Sequence, residues 1–351
     1  MQKICIVTGG AGFIGCALSR GLTERYGRVI AFDCLHPQIH KDANRPQELA
    51  SGVELYRGDV REQTAWDELL SSLPAVDTIV HLAAETGTAQ SLTESTRHAS
   101  ANVVGTTQML DALHRCGKLP LQILLTSSRA VYGEGAWKRA DGTVFYPGQR
   151  TAAQLAAGRW NFEDATYLPA DAATTLPHPG SVYAATKLCQ ENLLHVWGGA
   201  TGVGIKIVRL QNVYGPGQSL INSYTGIVSL FVRLAKKSKA IPVYEDGEIV
   251  RDFVLIDDVR DAILCALESD AAFGRTIDIG TGKRTTILEI ARLIAKRYGA
   301  PEPVVSGQYR NGDVRCGMCD ASAARELLGF TAAYDVERGV NKLCNWIDER
   351  L

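Results

Sequence analysis

The chain has 351 residues, with 37 Lys and Arg against 38 Asp and Glu and a formal net charge of -1. That length suits one large α/β domain with additions, or two domains. The even charge balance excludes the clustered basic excess of a nucleic-acid binder and a polybasic membrane anchor, and 46% hydrophobic with 21% charged residues excludes a disordered chain.

Short apolar, β-branched runs at 3–8, 29–32, 53–56, 78–81 and 123–126 alternate with helical patterns. The first helix is predicted over 13–26. The last of this series, about 99–115, carries Val103, Leu110 and Leu113 in one stripe and is closed by Cys116-Gly117 and Pro120. Buried strands spaced by helices predict a parallel sheet covered on both faces. Between 133 and 179, Gly, Ala, Pro and aromatic residues mix without period. This reads as a long excursion from the sheet, with a short helix at 151–157, and a loop of that length is usually functional. A helix resumes over 181–197 and a strand over 205–209. A mixed region follows, with helices near 226–235, 257–268 and 286–297.

No run reaches the roughly 18 apolar residues of a membrane span, and the apolar run at 4–7 is too short for a signal peptide. Nine cysteines are scattered from Cys5 to Cys344, so reduced thiols and a cytoplasmic location are expected. Cys316-Gly317-Met318-Cys319 is a CxxC without a second pair, and no metal site is expected from it.

Gly9, Gly12 and Gly15 follow the first strand and open the first helix at GxxGxxG spacing, with Phe13 and Ile14 between the last two. Such a loop turns tightly and lets backbone approach a pyrophosphate, which the helix N-terminus then holds. Asp33 closes the next strand, 18 residues after Gly15, where a carboxylate binds ribose hydroxyls. It would repel a 2′-phosphate, so NAD rather than NADP is expected. Tyr183 and Lys187 stand at i and i+4 on the helix after the excursion, so phenol and ammonium share a face. A nearby cation lowers a phenol's pKa, which makes Tyr183 a candidate acid/base. Thr126-Ser127-Ser128-Arg129-Ala130-Val131-Tyr132-Gly133 ends a buried strand, where open α/β sheets bind ligands and a hydroxyl can meet a developing oxyanion.

The glycine loop, Asp33, Gly58-Asp59-Val60, His81-Leu82-Ala83-Ala84, Asn102, the Ser127–Gly133 run and the Tyr183/Lys187 pair together resemble the extended short-chain dehydrogenase/reductase superfamily, in its NAD-dependent nucleotide-sugar epimerase/dehydratase branch. The likeness continues through Arg209 to Pro216, Arg251-Asp252-Phe253, Asp257-Asp258-Val259 and Arg310 to Asp313, and spans nearly the whole chain. It implies an α/β fold: a Rossmann-type doubly wound parallel sheet over 1–210, interrupted by a long insertion at about 134–180. Residues 211–351 would then form a smaller mixed α+β region that mainly binds the nucleotide sugar, with some chain returning to the Rossmann sheet. It also implies roles. Ser128, Tyr183 and Lys187 would be catalytic. Gly9, Gly12, Phe13, Ile14, Gly15, Asp33, Asp59, Val60, Leu82, Ala83, Ala84, Asn102 and Thr126, with Tyr183 and Lys187, would hold NAD. Asn212, Arg251 and Arg310 would hold the substrate diphosphate, and Thr86, Ser128, Gln218 and Tyr224 the sugar or the base.

Sugar-nucleotide 4,6-dehydratases of this family resemble Thr-Asp-Glu where this chain has Ser128-Arg129-Ala130, so elimination of water is not expected. Residues 215–226 and the excursion resemble the subgroup that epimerises dTDP-L-rhamnose at C4. The implied reaction is transient oxidation of C4 by NAD while Tyr183 removes and later returns the hydroxyl proton, Ser128 bonds that oxygen and Lys187 keeps the tyrosine pKa low. The alternatives within the family are a 4-ketoreductase and a UDP-hexose 4-epimerase; outside catalysis, an NAD(H)-sensing protein. Relatives pair the 99–115 and 181–197 helices across a homodimer, which is therefore implied as well. No nucleic acid, membrane or metal partner is expected.

Overall fold

The computed structural model describes residues 2–40, 42–220 and 226–350. Seven parallel strands form the central sheet. From one edge to the other they are Arg275–Ile279, Gly204–Leu210, Gln122–Ser128, Thr78–His81, Ile4–Thr8, Arg28–Asp33 and Val53–Arg57. Successive side chains on a strand point to opposite faces, and the two faces have separate cores. Cys5, Val7, Val29 and Val208 meet Leu18, Leu22, Val259 and Ile263 on one side. Ile6, Ile30, Ile79, Ile123 and Ile207 meet Trp66, Leu70, Met109, Leu113 and Leu194 on the other. Each fully buried aliphatic side chain contributes about 1.5–3 kcal/mol, so the sheet must be covered on both faces, and it is. The strand order reverses at Ile4–Thr8, which opens a crevice beyond the strand C-termini. Among the described residues no helix is long and apolar enough to cross a membrane.

The helix predicted over 99–115 begins earlier, at Ser95, and is not regular. Ser95–Ala99 and Gly105–Arg115 are joined by a π-helical turn over Ser100–Val104 that buries Asn102. Its buried stripe is Asn102, Thr106, Met109, Leu110 and Leu113, while Val103 is only half-buried. The Val182–Thr201 helix starts on Ser181, whose side chain accepts from the Ala184 N–H, and ends at left-handed Gly202. A third core is built from Phe231, Val232, Ile241, Phe253, Ile290, Ile294, Val340, Leu343 and Ile347, and its Phe231 reaches the cleft. The Ile287–Tyr298 helix enters it through a capping box between Thr286 and Glu289.

The excursion holds more structure than the sequence predicts. Besides the Ala152–Ala156 helix it forms a three-stranded antiparallel sheet of Val144–Phe145, Trp137–Arg139 and Ala165–Tyr167. Strands of two or three residues are too short to show a period-two pattern. Trp137 anchors the sheet edge-on against Phe162 and Tyr167, with ring centroids 4.9 and 5.7 Å away. Ala170 stitches it to the C-terminal region by accepting from the Asp320 N–H at 2.8 Å and donating to Met318 O at 2.9 Å.

Candidate active site

The glycine loop closes on the sheet because side chains are missing. Gly9 has φ +65, and a Cβ there would stand 2.9 Å from the Ala83 nitrogen. Gly12 precedes the Phe13–Thr23 helix without any side-chain cap, so the first-turn N–H groups are left for an outside acceptor. Asp33 lies at the rim, with one oxygen accepting from the Ala11 N–H at 3.0 Å and the other from the Leu35 N–H at 2.8 Å. This backbone harness aims a carboxylate across the mouth of an uncapped helix. The combination suits a dinucleotide: diphosphate on the amides, ribose hydroxyls on the carboxylate.

Ser128 ends its strand and caps a 3-10 turn over Arg129–Tyr132, its oxygen accepting from the Ala130 N–H at 3.2 Å. The hydroxyl proton is therefore free to be donated elsewhere. Tyr183 comes from the facing helix and is half-buried at the cleft wall. Burial raises its pKa, opposed first by the Ser128 hydrogen bond and then by the Arg129 charge. Lys187 is buried one turn on, and its Nζ donates to Gln190 Oε1 at 2.7 Å. Burial brings the Lys187 pKa down to about 7, against the pull of Glu191. Gln190 in turn donates to Thr106 Oγ1 at 2.8 Å and contacts His81 Nε2 at 3.3 Å. Burial pushes His81 down to about 3, so it is neutral behind the lysine.

At the other end of the cleft, Arg251 lies on the Val250–Arg251 strand and donates to the carbonyls of Val250 and Val314 at 2.7 and 3.0 Å. Burial, then the neighbouring Arg129 charge, brings its pKa to about 10. The Arg310 guanidinium sits 5.1 Å from the Tyr244 ring centroid. Among the described residues, Asn212 Oδ1, Gln218 Oε1 and both amide atoms of Gln211 are buried without a hydrogen-bond partner in the protein. Each such group costs about 1–3 kcal/mol, which a polar ligand in the cleft would offset. Gln211 lies inside the Arg209 to Pro216 run, but nothing in the sequence assigned it a role of its own.

These parts line one cavity of about 1340 Å³ along the sheet's C-terminal edge, larger than a typical single-ligand pocket of roughly 300–1,000 Å³. Gly9, Gly12, Phe13, Ile14, Gly15, Asp33, Asp59, Val60, Leu82, Ala83, Ala84 and Thr126 line it toward the glycine loop. Thr86, Ser128, Tyr183, Lys187, Asn212, Gln218, Arg251 and Arg310 line the rest. Asn102 does not reach it. Its side chain is consumed behind the wall, accepting from the Glu85 N–H at 2.7 Å and donating to Glu85 O and Thr186 Oγ1 at 3.0 and 2.9 Å. It positions the wall. Tyr224 lies outside the described residues. Cys316 and Cys319 are both pushed up by burial, and Cys319 Sγ contacts Asp252 Oδ2 at 3.6 Å; neither has the lowered pKa of a reactive thiol.

Sequence reasoning also missed the ion cluster that ties the insertion to this site. Arg150 is fully buried and satisfies all five of its donors. Nε bonds Glu134 at 3.1 Å, and the two Nη atoms bond Glu245 at 2.8 Å each, Trp160 O at 3.1 Å and Asp313 O at 2.8 Å. Arg315 joins it through Glu245, Asp246 and Asn161, while its N–H bonds Glu134 at 2.8 Å.

Residues 5–280 match the family described as the NAD dependent epimerase/dehydratase family. A dTDP-L-rhamnose 4-epimerase from Burkholderia thailandensis is 55% identical over 349 residues, covering 99% of this chain and 96% of that protein. The fold is similar to a UDP-glucose 4-epimerase of Thermotoga maritima solved with UDP-glucose, at 26% identity, TM-score 0.81 and 99% of both chains. It is also similar to a Bacillus cereus UDP-glucuronic acid 4-epimerase solved with UDP-glucuronic acid and NAD, at 25% identity, TM-score 0.78, 99% of this chain and all of that one.

Proposed function

The chain belongs to the NAD dependent epimerase/dehydratase family, and from that premise we propose that it interconverts dTDP-L-rhamnose and dTDP-6-deoxy-L-talose. It is an NAD-dependent nucleotide-sugar 4-epimerase. The observation that carries the choice of sugar is the 55% identity, end to end, with the Burkholderia thailandensis enzyme. The glycine loop and Asp33 hold the diphosphate and adenosine ribose of NAD, Asp59, Val60 and Leu82 to Ala84 flank it, and Lys187 turns to the nicotinamide ribose. When bound, NAD supplies the two-electron acceptor and donor chemistry at the sugar carbon. Tyr183 takes the proton of the C4 hydroxyl and, after the ring has turned so that C4 presents its other face for re-reduction, returns it to the same oxygen. Ser128, its oxygen already accepting from Ala130, donates to the same C4 oxygen. Arg251, Arg310 and Asn212 hold the substrate diphosphate while the ring turns, with Thr86 and Gln218 at the sugar or the base. No redox equivalent is consumed overall.

The protein acts as a homodimer. Leu92, Val104 and Val196 are 59, 44 and 76% exposed on or beside the Gly105–Arg115 and Val182–Thr201 helices, apolar area that a second copy would cover. Nine unpaired cysteines support a cytoplasmic location. The test is incubation with dTDP-, UDP-, GDP- and CDP-sugars followed by NMR of the ring protons. Inversion at C4 of dTDP-L-rhamnose without added cofactor is expected. Stoichiometric NADPH consumption, or inversion of UDP-hexoses alone, would overturn the reading.

A further inference from the structure

Arg310 is carried by a loop without regular structure. Between the strands Val304–Val305 and Cys316–Gly317, residues 306–315 form neither helix nor strand, and Arg310 is exposed at the cleft. A side chain on such a segment holds a ligand in one place only if the segment itself is fixed. Among the described residues, none between 134 and 180 lines the cleft, yet the insertion is what fixes this loop.

The first half of the loop is held by Glu245. The Gly307 N–H donates to Glu245 O at 3.2 Å, and the Glu245 N–H donates to Gln308 O at 2.7 Å. Glu245 makes both bonds with φ at +53, a left-handed conformation that a residue other than glycine keeps only where its neighbours over-determine it. The neighbour that does so is Arg150 of the insertion. Its two Nη atoms donate to the two Glu245 carboxylate oxygens at 2.8 Å each. The second half is held by the insertion directly. Arg150 Nη2 donates to Asp313 O at 2.8 Å, and the Arg315 N–H donates to Glu134 Oε2 at 2.8 Å. Between these ties the Asp313 N–H donates to Arg310 O at 3.3 Å. Tyr309 packs on Trp160 with ring centroids 6.1 Å apart, and the Trp160 carbonyl accepts from Arg150 as well. One buried guanidinium thus grips the loop on both sides of Arg310, which itself lies over the Tyr244 ring.

We propose that Arg150 is a positioning residue for substrate binding: through Asp313 O and the Glu245 carboxylate, the insertion holds the 306–315 loop so that Arg310 meets the diphosphate of the nucleotide sugar. The insertion then serves recognition without touching the substrate. The proposal rests on the reading of Arg310 as a diphosphate ligand.

The test titrates dTDP calorimetrically into wild type, Arg150→Met, Arg310→Ala and the double variant. The NAD content of each protein and its kcat and KM on dTDP-L-rhamnose are measured beside it. Arg310→Ala is expected to weaken dTDP by about 10–100-fold, the range for a lost charge-assisted bond. Arg150→Met is expected to weaken it by about tenfold and to raise KM to match, with kcat and NAD content within about twofold of wild type. A loss of stability alone would not single out dTDP in this way. The double variant is expected to bind dTDP within about threefold of Arg310→Ala, because with Arg310 gone there is nothing left to position. Unchanged dTDP affinity in Arg150→Met overturns the proposal. So do losses that multiply in the double variant, or a loss seen only in kcat or in NAD content. Should Arg150→Met fail to fold, Glu245→Gln takes its place, and unchanged dTDP affinity there overturns the proposal. Failure of the underlying reading is separately visible, because Arg310→Ala would then bind dTDP like wild type, and the proposal would fall with it.

Discussion

Arg150→Met tests how the insertion is coupled to the site. The substitution keeps an unbranched side chain of similar reach but removes five donors from a fully buried place. Glu245, itself fully buried, loses both of its 2.8 Å bonds and keeps only Arg315 at 3.1 Å. Glu134, whose pKa burial already raises against the pull of Arg150, loses its cation as well. Removing one partner from a buried ion pair costs about 3–5 kcal/mol, because the other charge stays behind. At about 2.1 cal/mol/K of unfolding entropy per residue, 351 residues give a fall of about 1.4 °C in Tm per kcal/mol, hence about 4–7 °C. Calorimetry on wild type, Arg150→Met, Glu245→Gln and the double variant should show that fall and a strongly non-additive cycle. KM should rise in parallel, since Arg315 leads directly to the strand beside Arg251. A melt within about 1 °C of wild type would refute the reasoning, as would an additive cycle, because the cluster would then carry no coupling.

Tyr183→Phe should lose about 10²–10⁴-fold in kcat while purifying with the same NAD content, read from the absorbance of the released cofactor. Asp33→Asn should weaken NAD binding by about 10–100-fold, from the loss of a charge-assisted bond worth roughly 1.5–3 kcal/mol, and should narrow the preference over NADP; calorimetric titration reads both. Lys187, with a folded pKa of about 7 below the unfolded value, has released its proton where the unfolded chain still binds one. Stability of the cofactor-free protein should therefore rise between about pH 7 and 9, and Lys187→Met should flatten that rise in denaturant titrations. Val196→Glu should give monomers by light scattering where wild type gives dimers.

Much of the sheet and the cofactor loop was legible because its signals are local. Ile4–Thr8 and Thr78–His81 are entirely buried, so they read as short runs rich in β-branched residues. Tyr183 and Lys187 are one helical turn apart, and even Gln190, three residues on, could have been found from spacing alone. Arg150 and Glu245 are 95 residues apart, and no pattern in either neighbourhood says they meet. Arg129 likewise packs on Gly317, where a Cβ would stand 2.7 Å from the Arg129 Cζ, and Gly317 lies in a two-residue strand that no local pattern joins to it. The π-helical turn was invisible because residues 95–115 suit a regular helix equally well; what selects the extra residue per turn is the seam where Asn102 bonds Glu85 and Thr186.

That turn constrains how the gene can change. Deleting one residue between 100 and 104 would restore the regular ladder and rotate everything before it by about 100°. Arg97 would leave Glu85, 2.8 Å away, and His98 would leave Thr86 O at 3.3 Å, unfastening the stretch of cavity wall they hold. Substitutions along this segment can be tried one at a time by natural variation, whereas a change of length there is lethal to the site in a single step. Homologues that keep this wall should therefore vary in sequence across 95–105 but align without gaps.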